Sequence, residues 1–203
     1  QNNYRITSVK AYKETLVYLN CSGNSGITDA GLSGSASKLK ILYANNNPKI
    51  TTIRPYTSTL KVLHAEGSCG IGNDTLRYSN RIVELNANDN VKISSVSSFA
   101  TSLQILHANG NCGIDDLSIV RACNIKILYA ANNSRITTVA PFAKTIVTLD
   151  CSGSCGIDDS GIELACKLEN LNVDSNCKIT SVCACESTLR TLNASGLNCG
   201  IVD

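Results

Sequence analysis

The chain returns to one pattern nine times. Aligning it on Leu19, Leu42, Leu63, Leu85, Leu106, Leu128, Leu149, Leu171 and Leu192 leaves spacings of 23, 21, 22, 21, 22, 21, 22 and 21 residues. Three residues before each of these stands another Leu or Ile: Leu16, Leu39, Leu60, Ile82, Leu103, Ile125, Ile146, Leu168 and Leu189. Two residues after each stands a short side chain: Cys21, Ala44, Ala65, Ala87, Ala108, Ala130, Cys151, Val173 and Ala194. A unit of this length cannot bury its apolar face alone. The units must stack, each touching only its neighbours, so that nine coils share one continuous core.

The coils alternate between two kinds. The first carries Cys-Gly-Ile or Ser-Gly-Ile, at Ser25–Ile27, Cys69–Ile71, Cys112–Ile114, Cys155–Ile157 and Cys199–Ile201. The second carries a basic residue, Ile, a Ser/Thr pair and a β-branched residue, as in Lys49–Ile53, Lys92–Val96, Arg135–Val139 and Lys178–Val182, with Arg5–Val9 opening the chain. The true unit is therefore two coils, 43 or 44 residues long.

The stretch around each aligned Leu alternates inward and outward, the mark of a short parallel strand. At roughly 4.8 Å per strand the stack spans on the order of 40 Å. An Asn follows at Asn24, Asn47, Asn90, Asn111, Asn133, Asn176 and Asn198, with Ser68 and Ser154 in its place elsewhere. It is expected to point inward and satisfy backbone groups of the buried turn. The return path shows an apolar residue at Leu32, Leu76, Ile119 and Ile162 in first-kind coils. In second-kind coils it shows Tyr12, Tyr56, Phe99, Phe142 and Cys185. So short a coil leaves little room for helix, and 3₁₀ turns with extended segments are expected there.

Such a period with L-x-x-L-x-small-x-x-N resembles the leucine-rich-repeat superfamily over essentially the whole chain. Ile136–Ala143 is similar to the short class of internalin-like and phosphatase-regulator-like arrays. Gly26–Leu32 is similar to the cysteine-containing class found with F-box adaptors. Arrays of this flavour also resemble repeat proteins of large DNA viruses of amoebae. The departure is the third core position, where the family usually has Leu and this chain has Ala, Cys or Val. The resemblance implies a right-handed, β-rich solenoid with one parallel sheet. It also implies a non-enzymatic scaffold that binds proteins through its concave face. The whole of 1–203 reads as a single array, expected to be a piece of a longer one because no polar cap is visible at either end.

Composition narrows the class. A net charge of +2 points neither to nucleic acid nor to an anionic membrane surface. No apolar run approaches the roughly 20 residues that span a bilayer. The eleven cysteines could form a disulfide framework in a secreted protein. Most fall on repeat positions, however, which favours reduced, compact core residues and an intracellular setting. Cys155, Cys177 and Cys199 sit at matching places in successive coils and are expected to remain thiols.

No cofactor motif is present. His64 and His107 share one strand position two coils apart, so their backbones lie roughly 9–10 Å apart, awkward for a shared zinc ion. Their equivalence in the repeat explains them without a metal. The pairs Asp115-Asp116 and Asp158-Asp159 could be read as acid and base of a hydrolase. Adjacent acids in a turn more commonly accept from local backbone N–H groups. The ladder Arg5, Lys49, Lys92, Arg135, Lys178 is expected to neutralise neighbouring acids.

The outward strand positions are more informative. The candidate partner-binding residues are Tyr18, Ile41, Tyr43, Val62, His64, Ile105, His107, Ile127 and Tyr129, all in the first six coils. The last three coils present Thr148, Asp150, Asn170, Asn172, Thr191 and Asn193 instead. A contiguous apolar patch marks an interface, although β-branched residues also suit an exposed strand for its own sake. Two further readings stay open: a structural rod within a larger assembly such as a virion or surface layer, and the substrate-receptor arm of a ubiquitin-ligase adaptor.

Overall fold

A computed structural model describes residues 2–34 and 38–201. It contains one parallel sheet of nine strands in chain order. The strands are β1 (Tyr18–Asn20), β2 (Ile41–Tyr43), β3 (Val62–His64), β4 (Glu84–Asn86), β5 (Ile105–His107), β6 (Ile127–Tyr129), β7 (Thr148–Asp150), β8 (Asn170–Asn172) and β9 (Thr191–Asn193). Every pairing aligns one repeat Leu with the next, from Leu19 on Leu42 to Leu171 on Leu192. The register follows the repeat because slipping by one residue would turn each Leu out of the core. No helix among the described residues is long and apolar enough to cross a membrane.

The core is one continuous cluster. The small third positions from Cys21 to Val173 are fully buried, as are the Ile residues closing each turn from Ile50 to Ile179. In second-kind coils the return path begins with a 3₁₀ turn: Lys10–Tyr12, Arg54–Tyr56, Ser97–Phe99, Ala140–Phe142 and Cys183–Cys185. Tyr56, Phe99 and Phe142 fill the core beneath these turns, and the Tyr56 hydroxyl donates to the Leu32 carbonyl at 2.6 Å. Tyr12, in contrast, is exposed.

In the four first-kind coils from Ser25 to Cys155 the return path also carries a single α-helical turn, which was not expected: α1 (Asp29–Leu32), α2 (Asn73–Leu76), α3 (Asp116–Ile119) and α4 (Asp159–Ile162). In α3 and α4 the sequence supplies a capping start signal. The Asp115 carboxylate accepts from Ser118 N–H, and Asp158 accepts from Gly161 N–H, each capping three residues ahead. The first residue of each turn reaches into the following coil. Asp29 Oδ1 accepts from Thr51 and Thr52 N–H, Asn73 Oδ1 from Ser94 and Ser95, Asp116 Oδ1 from Thr137, and Asp159 Oδ1 from Thr180 and Ser181. This explains the Ser/Thr pair of second-kind coils, which lies where it can be gripped from the previous coil. The acid pairs Asp115-Asp116 and Asp158-Asp159 are thus engaged with backbone amides.

The asparagine ladder is present but confined to second-kind coils. Asn47, Asn90, Asn133 and Asn176 are buried. Each sends Nδ2 to two carbonyls of the preceding coil, as Asn133 does to Ala108 at 2.9 Å and Ile114 at 3.3 Å. Each Oδ1 accepts from the N–H two residues on. Asn24, Ser68, Asn111, Ser154 and Asn198 are exposed, contrary to expectation. The tight turns explain the difference. Asn47 N–H closes on the Ala44 carbonyl, whereas Cys69 N–H closes on Glu66, one position later relative to the repeat Leu. The inward place in first-kind coils therefore belongs to Ser25, Cys69, Cys112 and Cys155. The Gly after each Cys is dictated by crowding, since a β-carbon on Gly70 would meet the Ile50 and Pro48 carbonyls.

The same offset corrects a further expectation. Cys155 is buried, Cys177 is exposed and Cys199 is half-buried, so the three are not equivalent. All eleven thiols are unbridged. Burial pushes the Cys21 thiol up to about 12 and those of Cys69 and Cys155 to about 11. The basic ladder does not neutralise acids: among the described residues the ion pairs are His64–Glu84 and Arg190–Glu169.

Candidate protein-docking face

The parallel register sorts the outward side chains into two columns on the solvent face of the sheet. One runs Tyr18, Ile41, Val62, Glu84, Ile105, Ile127, and the other runs Asn20, Tyr43, His64, Asn86, His107, Tyr129. All nine candidate residues lie on this face. Tyr18 is exposed and the other eight are half-buried by their neighbours.

The rings form a ladder. Tyr18 meets Tyr43 edge to face at 5.4 Å. Tyr43 stacks on His64 at 4.2 Å, and His107 stacks on Tyr129 at 4.6 Å, each pair within about 21° of parallel. His64 and His107 approach to 6.1 Å although their strands are two apart. They lean together over Asn86, which is buried although it points outward. Stacked rings occupy each other's faces and present their edges to solvent, which restricts their conformations.

The polar residues of β4 were not among the candidates, yet they organise the centre. His64 Nε2 lies 2.8 Å from Glu84 Oε1. Asn86 Nδ2 donates to Glu66 Oε2 at 3.3 Å, and Asn45 Nδ2 donates to the same oxygen at 3.4 Å. Their place beside Val62 and His64 in the repeat was the available signal. Partial burial lowers the His107 pKa; nearby Glu84 acts in the opposite direction, and the second imidazole, His64, lowers it further. Among the described residues no three His, Cys, Asp or Glu side chains converge as a metal ligand set. Beyond Tyr129 the columns turn polar, through Thr148 and Asp150 to Asn170 and Asn172.

The sequence matches no family profile and no curated protein at a significant level. The structure does have known neighbours. It superposes on internalin C2 of Listeria monocytogenes with a TM-score of 0.67 at 19% identity, over 87% of this chain and 80% of that one. It superposes on an internalin F of the same organism with a TM-score of 0.56 at 15% identity, over 94% and 71%. The fold is that of a leucine-rich-repeat solenoid, with a single open parallel sheet and few helices.

Proposed function

We propose that this protein is a non-enzymatic scaffold that binds another protein on the concave, strand face of its first six coils. The observation that carries this reading is the prestacked ring ladder of Tyr18, Tyr43, His64, His107 and Tyr129 beside Ile41, Val62, Ile105 and Ile127. Aromatic side chains bury large area at low entropic cost and are favoured as interface anchors. Here much of that cost is already met by stacking. The reading against catalysis is supported by the acid pairs, whose oxygens accept from backbone amides.

The test is the double substitution Tyr43→Ala and Tyr129→Ala, with capture of the native partner from the source organism as readout. Loss of capture with an unchanged unfolding transition is the expected result. Retained capture refutes docking on this face and favours a structural rod.

A further inference from the structure

Positive charge is concentrated at one edge of the sheet. Between Asp29 and Glu66 the sequence holds no acidic residue but carries Lys38, Lys40, Lys49, Arg54 and Lys61. The fold brings two of these lysines onto neighbouring coils. Lys40 and Lys61 immediately precede β2 and β3, and Lys61 N–H donates to the Lys40 carbonyl at 2.8 Å. Lys38 and Arg81 stand two residues further from the strands, in the coils of β2 and β4. All four line one open groove of about 400 Å³, floored by Val17, Ser58 and Thr59. No acid lines it, and among the described residues none of the four cations is in an ion pair. In a chain of net charge +2, four cations around one groove, with no ion pair among the described residues, are a local excess of positive charge.

We propose that this groove is an anion-binding site for an acidic peptide segment, a run of Asp or Glu side chains on the protein partner. The extent of the charge favours that ligand over nucleic acid. The four cations lie in the coils of β2, β3 and β4, a span of only about 10–14 Å. Beyond it the same edge column is interrupted by the uncharged Val83 and Gln104 before the next cation, Lys126. A nucleic-acid strand needs a longer cationic track and exposed ring faces on which bases stack, and Tyr43, His64, His107 and Tyr129 are paired face to face with one another. Continuity favours a polypeptide as well. Ile41 and Val62 directly follow Lys40 and Lys61, so a chain leaving the groove passes at once onto the apolar column. The identity of the ligand as part of a protein partner rests on the docking reading above; the charge of the site does not.

The test uses fluorescein-labelled octaglutamate and an eight-nucleotide single-stranded DNA of the same label, titrated by anisotropy. Octaglutamate should bind, weaken as salt rises, and lose about tenfold or more in affinity on Lys40→Glu with Lys61→Glu. Lys144→Glu with Lys178→Glu, exposed charges outside the groove, should leave binding unchanged, and circular dichroism should show each variant folded. Tyr43→Ala with Tyr129→Ala should also leave octaglutamate binding unchanged. That separates the two claims, because a failed docking face loses the native partner's dependence on those tyrosines and keeps the groove. Absence of octaglutamate binding, an undiminished affinity in the groove variant, or tighter binding of the oligonucleotide each overturns the proposal.

Discussion

Replacing Asn133 by Ala removes the densest set of hydrogen bonds made by any one side chain in the central coils. Its Nδ2 donates to the Ala108 carbonyl at 2.9 Å, to Ile114 at 3.3 Å and toward Cys112 Sγ at 3.4 Å, while Oδ1 accepts from Arg135 N–H at 2.9 Å. The side chain is 1% exposed, so water cannot replace it without opening the turn. A net hydrogen bond contributes about 1 kcal/mol, and a buried group left unpaired costs about 1–3 kcal/mol. Ala108 retains Cys112 Sγ as a weak donor at 3.3 Å, which holds the sum near the lower end, about 3 kcal/mol. Asn111 is the control. It is exposed, and its own N–H, which Ala keeps, is the group that bonds Asp89. Asn111→Ala should stay within about 0.5 kcal/mol, as surface changes do. Urea unfolding followed by circular dichroism measures both. Because coils couple only to neighbours, the Asn133 variant should also broaden the transition by splitting the array at its middle. Equal shifts for the two variants would refute the assignment of the inward position.

Gly67→Ala should destabilise by about 2 kcal/mol or more. At φ +64 a β-carbon is disfavoured by about 1–2 kcal/mol, and it would overlap Asn46 Oδ1, which accepts from Ser68 N–H; Gly34→Ala, at φ +69 in open space, should cost only the backbone part, and equal thermal shifts would contradict this. In Ellman titration of the native protein, exposed Cys123, Cys166, Cys177 and Cys183 should react first, while Cys21, Cys69, Cys112, Cys151, Cys155 and Cys185 wait for unfolding; rapid reaction of the buried set would show that the core opens. His107 has a lowered pKa in the fold, so the unfolded chain takes up a proton first. Stability should therefore fall as pH drops through about 6.5, the usual imidazole value. His107→Gln should flatten that part of the profile between pH 7.5 and 5.5, and an unaltered profile would refute the assignment.

The strands were legible because period-2 alternation and the repeat Leu reinforce each other, so each candidate residue from Tyr18 to Tyr129 falls on the outward face. The turn after each strand was not legible. Both kinds of coil place Ile eight residues after Leu, as in Leu42 to Ile50 and Leu63 to Ile71. The tight turn closes one residue later in the first kind, and that exchanges an inward Asn for an inward Cys. Spacing alone cannot register such a shift. The four-residue helical turns escaped for a related reason: a single turn has no apolar period to display, and only its cap, as at Asp115 and Ser118, marks it. Ring stacking and the Glu84 contact depend on how side chains lean between coils, which the strand pattern leaves open.

The central claim is that the ring ladder is the docking surface, and the affinity of the isolated native partner tests it most directly. Titration calorimetry with the purified partner should show a loss of at least roughly 30-fold on Tyr43→Ala with Tyr129→Ala, which corresponds to about 2 kcal/mol for a single truncated anchor. The same change at the polar end, Asn170→Ala with Asn172→Ala, should leave affinity within about twofold, a few tenths of a kcal/mol. Equal affinities for the native protein and the tyrosine variant, or a greater loss from the asparagine pair, would contradict the account.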